Sequence, residues 1–279
     1  MDFSRDFLLK ELENTNVEYK KVIIEYTDNL LKKDLPVIYS LNHFAGILGL
    51  DLSELKTIIH NIDGYYAYYL IKKKHGGKRR IVTPYRNLKM IQTWILHEIL
   101  NKIPVHSQCK GFVKGSNTLQ NAKPHISKQY IRNFDLKDFF ESITIDRVYG
   151  VFLSLGYSPA VSFDLASLCT LKISDYKFEN LSRYKKNYFK YLHVKPQAVL
   201  AQGAPTSPAL ANLICRHLDE RFWKFSLSRG IQYTRYADDL TFSSNQLELL
   251  PNTSFVNKIV NEEGLQLNYQ KIGTYGKSS

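Results

Sequence analysis

Between Ile231 and Ser243 two short runs of aromatic and β-branched residues, Ile231-Gln-Tyr-Thr-Arg235 and Leu240-Thr-Phe-Ser243, flank the step Tyr236-Ala-Asp-Asp239. That pattern predicts a hairpin with Asp238 and Asp239 at its turn. Upstream, Leu8, Leu12, Val22, Ile23, Tyr26 and Leu30 recur at amphipathic spacing, and residues 1–60 read as helical. Within them His43 to Ile59 has the order helix, glycine turn, helix. It reads as a packed helical hairpin rather than a DNA-reading unit, because its second helix carries almost no Arg, Asn or Gln to address base edges.

Ile71 to Pro84 places six basic side chains around Gly76-Gly77 between two β-prone runs, which predicts a hairpin. The cations either lie beside a phosphate chain or make a solvated turn. Leu88, Ile91, Ile95 and Ile99 then form a helical core face. A loop from His106 to Tyr130 leads into a strand at Ile131 that reaches Asp135. Asp146 is the expected cap of a helix burying Val148, Phe152 and Leu155, and Asp138 is expected to serve as a cap or a salt-bridge partner.

Residues 157–195 read as an irregular, basic, tyrosine-rich insertion, either facing RNA or forming a solvated helix. Ser207 and Pro208 predict the start of one helix that presents Leu210, Ile214, Leu218, Phe222 and Phe225 and ends at Gly230. Thr253 to Glu263 predicts a further helix stopped by Gly264, and Leu265 to Asn268 a last strand ending near Lys271.

With 279 residues and 44% hydrophobic content, the chain has enough material for one large domain or two subdomains. Its formal charge of +12 changes the picture by pointing to a polyanionic partner. No apolar run approaches the roughly 18 residues that cross a bilayer, and the first residues lack a signal-peptide layout, so a cytoplasmic protein without a membrane partner is expected. Cys109, Cys169 and Cys215 have neither paired nor metal-ligand spacing and are expected as reduced core thiols.

Two acids at a turn repel, and alone they are explained by turn chemistry. Asp135 alters that reading. An acid at the end of an apolar strand costs several kcal/mol when buried without a partner, on the order of the penalties for desolvated charge, so it makes a third carboxylate for a cation site.

Taken in order, Asp135 within Phe134-Asp-Leu-Lys-Asp-Phe-Phe140, then Gln202-Gly-Ala-Pro-Thr-Ser-Pro208, Tyr236-Ala-Asp-Asp239 and Gly264-Leu-Gln-Leu-Asn-Tyr-Gln-Lys271 resemble the palm motifs of reverse transcriptases. Asn121-Ala-Lys-Pro-His125 is similar to an element that precedes the first catalytic Asp in bacterial retron reverse transcriptases. The resemblance covers roughly residues 60–275. It implies an α+β right-hand polymerase, with an N-terminal helical segment at 1–60, fingers at 61–134 and an antiparallel-sheet palm backed by helices at 135–279. The family continues beyond that palm into a primer grip and a thumb, so the thumb is expected to be largely absent from this chain.

For the site, the resemblance implies two Mg2+ ions, with Mn2+ as a substitute, on Asp135, Asp238 and Asp239. Lys271 becomes a candidate proton donor to pyrophosphate. Lys73 and Arg79 become triphosphate ligands, Phe140 a steric gate against ribose, and Gln202 with Gly203 the floor under the incoming nucleotide. Asn121, His125, Arg183, Lys185 and Lys186 are the candidate RNA contacts, although His125 by itself also reads as a satisfied structural histidine. Implied partners are dNTPs, a structured non-coding RNA with its RNA-linked DNA product, and a separate effector protein of an antiviral defence system. Two other readings share these residues: an idle polymerase fold serving as an RNA-binding scaffold, and an untemplated DNA polymerase of the abortive-infection type.

Overall fold

The structure is a computed structural model that describes residues 16–72, 78–173 and 197–276. Leu8, Leu12, Lys73, Arg183, Lys185 and Lys186, named above, lie outside the described residues.

Helix α1 (Val17–Leu31) begins where the Asn16 side chain accepts a hydrogen bond from the Glu18 amide. Leu30 is buried, whereas Val22 is exposed rather than on the buried face. Next come α2 (Leu41–Leu48) and α3 (Leu52–His60), joined through Gly49 at φ 67, as the glycine turn predicts. Strands β1 (Tyr66–Lys72) and β2 (Lys78–Pro84) form an antiparallel hairpin with Lys72 opposite Lys78. Pro84 ends that hairpin, and α4 (Arg86–Glu98) buries Leu88, Ile91 and Ile95, with Ile99 following into the core.

The short helix α5 (Thr118–Ala122) precedes β3 (Tyr130–Asp135). Helix α6 (Ile145–Leu155) buries Val148, Phe152 and Leu155 as expected, but Thr144 occupies its N-cap and Asp146 stands inside the first turn, where an acid complements the helix dipole. Asp138 is also not a cap: it is exposed at φ 47, one residue before the cap of the next short turn.

Residues expected to open the irregular insertion instead build α7 (Pro159–Cys169), capped by Ser158. Its Val161, Leu165, Ala166, Leu168 and Cys169 are buried, and the basic, tyrosine-rich composition starts only after this helix, at Lys172 and Tyr176. The small pair β4 (Thr170–Leu171) and β5 (Val199–Leu200) is antiparallel.

The single helix expected from Ser207 to Gly230 is two, α8 (Ser207–Ile214) and α9 (Arg216–Ser228), with the break at Cys215. Thr206, not Ser207, is the N-cap residue. A helical period runs through Leu210, Leu218 and Phe222, all buried, so the sequence pattern does not show the break.

Strands β6 (Gln232–Tyr236) and β7 (Asp239–Ser244) form the acidic hairpin. Helix α10 (Thr253–Glu262) ends at Gly264, φ 70. Leu265 to Asn268 contributes one bridge, Leu136 to Leu267, rather than a strand; the last strand is β8 (Gly273–Gly276). The main sheet has the order β6-β7-β3-β8, antiparallel throughout.

Helix α9 covers one face of this sheet. Phe222 meets Phe242 edge-on at 5.3 Å between ring centroids, and Phe242 meets Phe134 at 6.0 Å. Below the acidic hairpin, α9 and β6 enclose an ion pair. Arg235 and Asp219, both 0% exposed, share two hydrogen bonds, Nε to Oδ1 at 2.8 Å and Nη2 to Oδ2 at 2.7 Å. The Tyr233 hydroxyl also donates to Asp219, and Arg235 Nη1 donates to Asn212 Oδ1 and to the Ala237 carbonyl.

With every bonding partner in place such a pair holds one conformation, but either half alone is a buried unpaired charge. Asp219→Ala should therefore lower unfolding free energy by about 3–5 kcal/mol in urea titrations, and the joint change Asp219→Leu with Arg235→Met by much less. Equal losses would contradict this description.

Candidate active site

The strand register brings the three acids together. Asp135 ends β3 directly opposite Asp239, the first residue of β7, and Tyr236 pairs with Asp239 across the hairpin, leaving Ala237 and Asp238 as its two turn residues. Ala237 takes φ 56, unusual for a residue with a Cβ, and its carbonyl is held by Arg235. The Asp238 carbonyl accepts from the Leu136 amide at 2.9 Å, fastening the turn to the end of β3.

Asp135 is 4% exposed and each of its oxygens has one donor: Lys271 Nζ donates to Oδ2 at 2.6 Å and Asn268 Nδ2 to Oδ1 at 3.0 Å. The Asn268 amide also donates to the Asp135 carbonyl at 2.8 Å. The short 3-10 turn Tyr269–Lys271 delivers Lys271 to this position.

The electrostatics follow from crowding. Asp239 reaches solvent on one side, yet the protein packed around its other side raises its pKa, and the charges of Asp238 and Asp135 add to that rise against Lys271, giving about 6. Burial likewise raises Asp238; its own backbone amide draws it back, Asp135 pushes it up, and Lys271 and Arg79 oppose. Burial pulls Lys271 down, but the hydrogen bond and charge of Asp135, then the charges of Asp238 and Asp239, hold it above the ordinary lysine value. Arg79 stands exposed near the start of β2, with its charge felt at Asp238.

The loop between β5 and α8 joins this corner. The Gln202 carbonyl accepts from the Val82 amide at 2.8 Å, and Gly203, at φ 121, lies so close to the hairpin that a Cβ would come within 3.0 Å of the Val82 oxygen. Glycine is required there both for its dihedral and for that approach. Phe140 begins a 3-10 turn just after Asp135 and packs its ring 5.4 Å from that of buried Phe139.

Oxygen donors alone make up the acid trio, as a hard divalent cation requires. Among the described residues no group of three His, Cys, Asp or Glu side chains is placed to hold a metal ion by itself, and each Asp135 oxygen already accepts one hydrogen bond, from Lys271 or from Asn268. Any divalent cation here would complete its shell with waters and substrate phosphate oxygens rather than with protein alone.

His125 sits inside the hairpin. It is buried, its ring nitrogens lie 2.6 Å from Ser243 Oγ and 2.8 Å from Thr234 Oγ1, and burial followed by the Lys128 charge lowers its pKa to about 4. A neutral imidazole with one donor and one acceptor nitrogen satisfies both hydroxyls, so it pins β6 to β7. Asn121 is half-buried on α5, and its side-chain oxygen has no hydrogen-bond partner among the described residues.

Several positioning residues were not anticipated: Arg235, Asp219, Asn212, Asn268 and Gly111. Gly111 carries the clearest signal, because a Cβ there would sit 2.5 Å from the Ala237 amide.

Residues 71–278 match the family described as reverse transcriptase (RNA-dependent DNA polymerase). The chain belongs to the reverse transcriptases. Within them it is 38% identical over 256 residues to the Retron Ec86 reverse transcriptase of Escherichia coli, covering 91% of this chain and 72% of that protein. It is 35% identical to the Retron Mx65 reverse transcriptase of Myxococcus xanthus, over 87% of this chain and 56% of that one. Retron Mx162 reverse transcriptase of the same organism is 37% identical over 73% of this chain and 41% of its own length.

These relatives place the chain with the retron reverse transcriptases, and it spans between about two-fifths and three-quarters of their lengths. Telomerase structures from Candida albicans and Candida tropicalis align over 76% and 82% of this chain and 43% and 56% of theirs, with TM-scores of 0.44 and 0.41 and identities of 9% and 11%. At that level they say nothing further about it. The antiparallel four-stranded sheet backed by helices has the mixed architecture of the fingers-and-palm fold of that family. The described part has no helix long and apolar enough to cross a membrane, and Cys109, Cys169 and Cys215 are buried free thiols.

The raised pKa of Asp239 has a measurable sign. A carboxyl whose pKa is higher folded than unfolded favours the folded state while protonated; its contribution is whole below the ordinary value of 3.8 and is lost as pH rises through about 6. In the metal-free protein, unfolding free energy should therefore carry a component that falls across that window, and Asp239→Asn should remove it. Thermal unfolding from pH 4 to 7 checks this, and identical pH slopes in the two proteins would contradict it.

Proposed function

We propose that this chain catalyses RNA-templated DNA synthesis by two-metal nucleotidyl transfer. The observation that carries the reading is the meeting of Asp135, Asp238 and Asp239 through strand register, inside a chain of the reverse transcriptase family. Bound Mg2+, or Mn2+ in its place, held by these three carboxylates, would lower the pKa of the primer 3′-hydroxyl and stabilise the leaving pyrophosphate.

The chain's own residues do the rest. Arg79, whose charge already acts on Asp238, presents a planar fork to the triphosphate, with Lys73 as its helper. The Gln202-Gly203 backbone, seated on Val82, forms the floor under the incoming nucleotide. Phe140 closes the space a ribose 2′-hydroxyl would need. Lys271 stays protonated beside Asp135, and its Nζ supplies a proton to the departing pyrophosphate.

Similarity to the retron reverse transcriptases supports a more specific substrate: a structured non-coding RNA that acts as primer and template, and an RNA-linked DNA product primed from a guanosine 2′-hydroxyl. A formal charge of +12 suits that partner, with Asn121 and the basic residues Arg183, Lys185 and Lys186 as its contacts. A separate effector protein and a role in antiviral defence complete the proposal.

Primer extension with and without RNA template tests it. Template-dependent DNA is the expected product; template-independent DNA would indicate the untemplated polymerase, and no product the idle scaffold. Asp238→Asn with Asp239→Asn should abolish synthesis, a loss of at least about a thousandfold, while RNA binding by filter retention persists. Full activity in that double variant would end the two-metal reading.

A further inference from the structure

Phe112 is an aromatic side chain close to the rings of Phe140 and Tyr236 that neither the motifs nor the proposed reaction employs. It is 56% exposed and held at φ 57, a dihedral that bulky side chains rarely adopt. A strained, solvent-exposed ring persists only where its surroundings fix it.

Those surroundings are the catalytic turn itself. The segment before Phe112 runs alongside β6: the Arg235 amide donates to the Gln108 carbonyl at 2.9 Å, and the Lys110 amide donates to the Arg235 carbonyl at 2.7 Å. Gly111 then presses against Ala237 and Tyr236, and its carbonyl accepts from Asn212 Nδ2 at 2.8 Å. With the preceding peptides fastened in this way, Phe112 is held against Phe140 and Tyr236. Its ring centroid lies 6.4 Å from that of Phe140 and 6.3 Å from that of Tyr236, within the range of favourable ring contact.

We propose that Phe112 is a positioning residue for sugar selection, which fixes the Phe140 ring in the orientation that excludes a ribose 2′-hydroxyl. The inference rests on the gate role given to Phe140 above. Phe139, buried, supports Phe140 from within the protein, and Phe112 supports it from the solvent side. Remove the outer ring and Phe140 gains rotamers that open the space; the chemistry of the metal site is untouched.

Phe112→Gly isolates the ring from the backbone, since glycine is at home at φ 57 and the loop keeps its course. Measured with the purified chain on an RNA template and DNA primer, the ratio of kcat/KM for a dNTP to that for the matching rNTP should fall about two- to tenfold, the range expected for one ring contact. Phe112→Tyr should restore it, and Phe140→Ala should lower it at least as far. A readout free of catalysis accompanies these: in protein labelled with 4-fluorophenylalanine, the Phe140 19F resonance, assigned with Phe140→Leu, should shift or broaden in Phe112→Gly and return in Phe112→Tyr.

If Phe140→Ala relaxes selection but Phe112→Gly leaves both ratio and resonance unchanged, the role of Phe112 is overturned while the gate stands. If Phe140→Ala itself leaves selection unchanged, the gate reading fails and this inference falls with it.

Discussion

Three carboxylates held within one corner of a sheet are the constraint that organises this chain. Register makes the contact unavoidable: pairing Asp135 with Asp239 and turning the chain at Ala237-Asp238 places like charges together in partly buried surroundings. Water is withdrawn and charges repel, so Asp239 titrates near 6 and Asp238 is raised as well. Such an arrangement is costly without a cation, and the surrounding structure is arranged to hold it.

Two sets of interactions do so. Toward solvent, Lys271 and Asn268 each donate to one oxygen of Asp135, which sets a positive charge beside the acids. On the core side, the Arg235–Asp219 pair ties the hairpin to α9 and grips the Ala237 carbonyl. Gly111 brings the 108–111 segment against the same turn, and His125 joins the two hairpin strands through their hydroxyls. The strained φ of Ala237 persists because these contacts over-determine it. Rigidity of this kind suits catalysis, where carboxylates must be in place before substrate arrives.

Much of this was legible in the sequence, for a physical reason. The acidic hairpin, the basic hairpin and the α4 face are written in local alternation and helical spacing, which the chain cannot disguise. Asp135 is visible as an acid in an apolar strand. The rest depends on tertiary contact. An uninterrupted helical period runs across Cys215, so the break between α8 and α9 leaves no trace in polarity. Leu265 to Asn268 has a strand's alternation but finds only one bridge, while Gly273–Gly276, short and with a glycine at each end, becomes a strand because β3 offers it an edge. Arg235 and Asp219 find each other from separate elements, and the two hydroxyls that bond His125, of Thr234 and Ser243, lie more than a hundred residues away in the chain.

Direct observation of metal binding bears most closely on the role of the three acids. Titrating Mn2+ into the chain with bound RNA primer-template, followed by electron paramagnetic resonance, counts ions on the protein without depending on turnover. Binding that is present in the native chain and lost in Asp135→Asn and in Asp238→Asn, with RNA binding retained, is the predicted result. Mn2+ binding unchanged by either substitution would contradict it.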